Sequence, residues 1–151
     1  MRTFSFLILI LSQFATINTS FASLGDLESQ VGSDQQKLQA QHDLRSSRTL
    51  YSVHELVSNM HTVKEYVGSD GVVFAISWQG VLRPDLKTLL GTYFAHYQAL
   101  DQARPRMQTR APVSINTDKI VVLKGGHMRD IRGLAYIPTK LPAGINLEDL
   151  Q

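Results

Sequence analysis

There is no cysteine anywhere in the 151-residue chain. That absence excludes disulfides, thiolate metal sites and cysteine nucleophiles. Long apolar runs are scarce too: Phe4 to Leu11 is far below the roughly 18 to 20 residues that span a bilayer, and no second run approaches that length. Charge of one sign is also missing. Fifteen basic residues stand against 13 acidic ones, and no stretch crowds Lys and Arg as a nucleic-acid footprint demands, so nucleic acid is not an expected partner. The chain carries no Gly-x-Ser-x-Gly elbow, no phosphate loop ending in Lys-Ser/Thr and no three spaced glycines of a dinucleotide fingerprint, and no cofactor is expected.

What is present starts with an export signal. "MRTFSFLILILSQFATINTSFAS" combines Arg2, an apolar run and the small-x-small stretch Ser20-Phe21-Ala22, which predicts a secretory signal peptide over 1–22. The mature product is then exported, periplasmic or extracellular, without a transmembrane segment. Removing Arg2 leaves 14 basic against 13 acidic residues. The remaining chain of about 129 residues is long enough for one domain with its own core.

Periodicity and punctuation predict the elements. Residues 23–48 are polar and Gln-rich and read as an arm or weak helix, with Leu38 and Leu44 as its buried positions. "YSVHELV" (51–57) and "TVKEYVG" (62–68) read as a hairpin closed by "SNMH". "SDG" turns the chain into "VVFAISWQ" (72–79), where Val72, Phe74, Ile76 and Trp78 are expected on one face. Leu86, Leu89, Leu90, Tyr93, Phe94 and Tyr97 form a helical stripe, with Pro84 and Asp85 suited to its start. Residues 101–112 read as a surface loop. "KIVVLK" and "HMRDIRGLAYI" flank Gly125-Gly126 as a second hairpin, and a proline-containing tail closes the chain with a helical turn at 146–150. The sum is an α+β domain over 49–151, an antiparallel meander of about five strands in the order β-β-β-α-β-β, with one principal amphipathic helix packed on one sheet face.

The stretches "YSVHELVSNMHTVKEYVGSDGVVFAISWQGVLRPDLKTLLGTYFAHY" and "GGHMRDIRGLAYIPTKLPAGI" resemble the signature of a family of small exported proteobacterial proteins catalogued as a domain of unknown function. The likeness rests on a Tyr-x-Val-His-Glu strand, a Glu-Tyr-Val-Gly-x-Asp-Gly-x-Val-Phe-Ala run, a Trp-x-Gly loop, a Pro-Asp-Leu helix start and a Gly-Gly-His-Met-Arg turn. It departs at Val81, where that family commonly has proline, and at "SLGDL", where it is usually richer in glycine. The resemblance implies export and a shared fold, and transfers no catalytic residue.

Five residues stand out as binding candidates: His54, Glu55, Trp78, His127 and Arg129. His54-Glu55 lacks the second histidine that a zincin needs one helical turn later. Trp78 could stack on a sugar or peptide, although its place in line with Phe74 and Ile76 is that of a core residue. In "KGGHMRD" the paired glycines suit a primed two-residue turn. That turn would pair Lys124 with His127, Leu123 with Met128 and Val122 with Arg129. His127, Arg129 and Lys124 would then share a face as a small basic edge suited to an anionic partner. The reading favoured on these grounds is a non-enzymatic exported binding or accessory module of the cell envelope, with an envelope protein or surface polymer as partner. The alternative is a small envelope hydrolase or metal-dependent enzyme that joins His54 and His127 with a carboxylate such as Glu65 or Asp130. A structural oligomer joined through strand edges is a third.

Overall fold

The structure, a computed structural model, describes residues 23–30, 38–39, 41–105 and 112–150, with residues 30 and 42–46 through the backbone alone. The expected signal peptide, residues 31–37 and residue 40 of the arm, and residues 106–111 of the loop lie outside them. Seven strands form one antiparallel sheet: β1 (Gln41–Ser47), β2 (Tyr51–Val57), β3 (His61–Gly68), β4 (Val73–Gly80), β5 (Val113–Asn116), β6 (Val121–His127) and β7 (Asp130–Tyr136), in the spatial order β1-β2-β3-β4-β7-β6-β5. Between β4 and β5 lie helices α1 (Leu86–Leu90) and α2 (Phe94–Gln102), joined by a 3-10 turn at Gly91–Tyr93. The α+β class stands; the five expected strands become seven.

Of the two additional strands, β1 comes from a stretch without apolar alternation and β5 from one too short for its alternation of Val113 and Ile115 with Ser114 and Asn116 to stand out. β1 lies in the segment read as an arm or weak helix, and it pairs with β2 from Gln41↔Val57 to Ser47↔Ser52, with a bulge between Leu44 and Ser46. Main-chain pairing along the otherwise bare edge of β2 needs no apolar side chain, so hydrophobic periodicity could not reveal it. β5 pairs Val113 to Asn116 with Lys124 to Val121 and is only four residues long.

One sheet face carries the helices. Leu86, Leu89, Leu90 and Tyr97 are buried there, with Tyr93 and Phe94 packed against them, over Leu56, Val63, Ile76, Trp78, Val122 and Ala135. Asp85 caps α1 by accepting from the Lys87 N–H at 3.0 Å and the Thr88 hydroxyl at 2.7 Å, so it precedes the first turn as a side-chain cap should. The helical stripe breaks at Gly91, whose φ is +47°. A Cβ there would overlap the Ser23 side chain. The N-terminal segment therefore packs into the helix break: the Leu24 N–H donates to the Leu89 carbonyl and the Gly25 N–H to that of Val73, at 2.9 and 2.8 Å.

The opposite face is half covered. Tyr51, Tyr66, Phe74 and Leu134 form a second cluster under Leu141, Ile145, Leu147 and Leu150 of the C-terminal tail, and Tyr51 meets Tyr66 and Phe74 edge-on at 5.9 and 6.1 Å. Phe74 lies here rather than beside Ile76 and Trp78, a correction to the strict alternation expected for that strand. The register slips between Tyr66 and Val67, which leaves Phe74 as the extra residue of a β-bulge and turns it to the other side. The tail ends in the expected helical turn, at Leu147–Leu150.

The Gly125-Gly126 hairpin is corrected as well. The observed pairs are Lys124↔Gly133, Gly125↔Arg132, Gly126↔Ile131 and His127↔Asp130, so both glycines lie within β6 and the turn is Met128-Arg129, with Arg129 at φ +70°. This register sets Leu123 beside Leu134 and Val122 beside Ala135, where the expected one would have set Leu123 beside Met128 and Val122 beside Arg129. Matching apolar rows outweighs the turn preference of paired glycines, because a slipped strand moves its whole apolar set. Gly126 instead permits a close approach of the two strands, since a Cβ there would overlap the Asp130 carbonyl oxygen.

Candidate functional site

The uncovered half of the sheet face opposite the helices is built from two cross-strand rows. The first runs Glu55, Lys64, Ser77, Leu134, Leu123, Ser114 across six consecutive strands, each residue directly opposite the next. The second runs Thr62, Gln79, Arg132, Gly125. All of these residues line one open groove of about 560 Å³. Six strands at roughly 4.8 Å spacing make it about 24 Å long, so it is narrow and lies across the strands. The C-terminal tail reaches the first row at Leu134, where its apolar contacts end, and does not reach the second.

The groove is polar yet close to electrically neutral. Glu55 faces Lys64, an opposite-charge pair of the kind that stabilises neighbouring strands modestly. Arg132 donates from Nε to Asp130 at 3.0 Å, and Gln79 donates to the same carboxylate oxygen at 3.2 Å. The hydrogen bond from Arg132 is the largest influence holding the Asp130 carboxyl below its usual range, and the same contact raises the Arg132 guanidinium. Leu123 and Leu134 supply an apolar floor, and glycine at 125 leaves one end without a side chain. Donors and acceptors over an apolar strip can orient a polar chain; nothing in the rows is a nucleophile with a base beside it.

The five sequence candidates scatter around this groove. Glu55 lies in it. His54, the next residue on β2, points to the other face, where it is buried at 6 % exposure and its Nε2 lies 2.6 Å from Glu28 Oε1. Its cross-strand neighbour is Glu65, which is fully buried and so is no solvated strand-face charge. The N-terminal segment that covers this face brings Glu28, and periodicity alone assigns that segment no place. Trp78 is buried at 3 % exposure, on the helix side, with its ring over Gly133: a Cβ at Gly133 would overlap the indole. His127 closes the β6–β7 hairpin, and Arg129 is exposed in the turn rather than sharing a strand face with Lys124.

His54 and His127 do not meet. β2 and β6 are four positions apart in the sheet order, roughly 19 Å at ordinary strand spacing, far beyond the about 2 Å that direct ligands of one metal require. Among the described residues no group of three His, Asp or Glu side chains is placed to hold a metal ion, and no helix is long and apolar enough to cross a membrane.

Residues that the sequence did not single out dominate the site. Thr62, Lys64, Ser77, Gln79, Ser114 and Arg132 come from four strands, and only the register of four pairings puts them in line. Alternation within β3 and β4 did place Thr62 with Lys64 and Ser77 with Gln79 on common faces.

Residues 20–150 match the model of a family described as a protein of unknown function, DUF2844. No curated protein and no solved structure matches the chain.

Proposed function

The chain belongs to the DUF2844 family, and from that premise we propose that it is an exported, non-enzymatic binding module of the cell envelope. Its cross-strand groove holds a segment of a neutral, hydroxyl- or amide-rich surface polymer. The observation that carries this reading is the shape and chemistry of the groove: about 560 Å³ drawn out over six strands, with charges matched in pairs and hydrogen-bonding side chains on both sides of a leucine floor. A compact substrate would be better served by a deep, closed pocket. A polymer segment fills a long shallow one and gains affinity from many modest contacts.

Two observations support the export half of the reading. The first is the N-terminal pattern of Arg2, apolar run and Ser20-Phe21-Ala22. The second is the seat of Ser23, which is buried at 2 % exposure with its backbone nitrogen 3.2 Å from Asp26 Oδ2. Cleavage after Ala22 would turn that nitrogen into an ammonium group facing a carboxylate, a favourable exchange.

Co-sedimentation of residues 23–151 with purified cell-wall polymer tests the reading, for the native protein and for Gln79→Ala, Arg132→Ala. Both side chains are exposed, so the double variant should keep its melting temperature. Polymer binding by the native protein that falls at least tenfold in the variant supports the reading; binding unaffected by the variant, or no binding, overturns it.

A further inference from the structure

We propose that a second cavity, at the C-terminal end of α2, is a site for a small oxyanion carrying two negative charges, a phosphoryl group or a dicarboxylate. This goes beyond the groove reading. The cavity measures about 720 Å³ and is lined by Arg83, Arg104, Lys124, His127, Asp101 and Trp78, among others.

Charge points there first. Asp101 is the single acid among the lining residues, and it already serves several donors: Lys124 Nζ at 3.0 Å, Arg104 at 3.3 Å and the Tyr97 hydroxyl at 3.2 Å. Arg83 makes no ion pair among the described residues. Three fixed cations, Arg83, Arg104 and Lys124, thus line the cavity with the single carboxylate of Asp101, and Arg83 is the one that no described residue pairs. Lys124 is largely buried, with its side chain at 13 % exposure, and Arg104 stands at 21 %. Cations held partly out of water attract an oxyanion more strongly than exposed ones do, and guanidinium groups match its geometry with paired N–H donors.

A second observation is independent of charge. The Trp78 indole is buried, and its Nε1–H has no hydrogen-bond partner among the described residues. Buried donors are rarely left without an acceptor, and the exceptions point to a ligand or water that completes them. Gly133 explains why the ring lies where it does, since any larger residue would displace it. Trp78 lines the same cavity as the three cationic side chains, so its unpaired N–H adds a further donor to theirs. A metal ion or a neutral sugar would leave the charge unanswered.

Trp78 is the only tryptophan in the chain, so its indole N–H gives one resonance in a proton–nitrogen correlation spectrum. The experiment titrates residues 23–151 at constant ionic strength with inorganic phosphate, glycerol phosphate, succinate and, as control, chloride. A saturable shift of the indole resonance is expected, with a dissociation constant of about a millimolar, from phosphate and its ester if the site takes a phosphoryl group or from succinate if it takes a dicarboxylate. Arg83→Gln should weaken it about tenfold with no change in melting temperature, because Arg83 is exposed and holds no structural partner among the described residues. No saturable shift from any dianion overturns the proposal, as does a shift that chloride reproduces or that Arg83→Gln leaves unchanged.

Discussion

Two cavities meet at Trp78, Pro112, Val113, Lys124 and Gly125, yet their chemistry differs. The groove on the uncovered sheet face matches its charges, Glu55 against Lys64 and Arg132 against Asp130. The cavity at the end of α2 sets one aspartate against three fixed cations. Strand register explains the first and helix placement the second. Cross-strand neighbours are forced together whatever their ligand, so opposite charges there stabilise the sheet itself. Arg83 and Arg104 come from the two ends of the helical region and converge only because α1 and α2 pack along the sheet. A net charge gathered in that way has no structural necessity, which is why it reads as a site.

The wall between the cavities offers the largest perturbation. Gly133→Ala would drive a methyl group into the Trp78 ring, and we expect a loss of about 3 kcal/mol in urea unfolding, with both binding properties lost together. Native-like stability would show that the indole has another place to lie.

Next in size is Asp101→Asn. Burial pushes the Asp101 carboxyl up, but the hydrogen bond and charge of Lys124, with Arg104 and Tyr97, hold it below its ordinary 3.8 in sum. A depressed folded value means that its contribution to stability is present above pH 3.8 and is lost as pH falls through the folded pKa. The asparagine variant should be less stable by about 1 kcal/mol at neutral pH and should lack this acid limb. It should bind dianions more tightly while its affinity for polymer stays the same.

His61 gives a smaller effect at milder pH. Burial lowers its pKa below 6.5, so the neutral form stabilises the fold above pH 6.5 and that contribution is lost as pH falls from 6.5 through the folded value. Melting temperatures of native protein and His61→Gln should diverge in that window. Since His61 lines neither cavity, neither binding property should follow it. Smallest of all, Glu55→Gln should cost no more than about 0.5 kcal/mol and should give the groove, not the cavity, a salt-dependent affinity for acidic polymers.

Much of the fold could be read from the sequence because its signals are local. The helical stripe from Leu86 to Tyr97, the Asp85 start, the SNMH and SDG turns and the 51–57 and 62–68 strands all follow from periodicity and turn chemistry over a few residues. What escaped was set at a distance. β1 needed the free edge of β2, Phe74 needed a bulge, and the β6–β7 register was decided by matching Val122 and Leu123 to Ala135 and Leu134. The sites escaped for the same reason. Of the groove residues only Glu55 and Trp78 were singled out, and of the cavity residues only Trp78 and His127, because Lys64, Arg132, Arg83 and Arg104 look like ordinary surface charges until packing collects them. The expected basic edge of Lys124, His127 and Arg129 does not form: Arg129 lies in the turn, while Lys124 and His127 line the cavity with Arg83 and Arg104.

Salt dependence of polymer binding tests the central claim most directly, because charge-paired and charge-excess sites respond to ionic strength in opposite degree. Residues 23–151 would be sedimented with purified wall polymer at about 0.1 M and about 1 M salt, where the screening length shrinks from about 10 to about 3 Å. Binding through the groove should persist at high salt, be unaffected by Arg83→Gln and fall with Gln79→Ala, Arg132→Ala. Binding that vanishes with salt and follows Arg83 instead would contradict it.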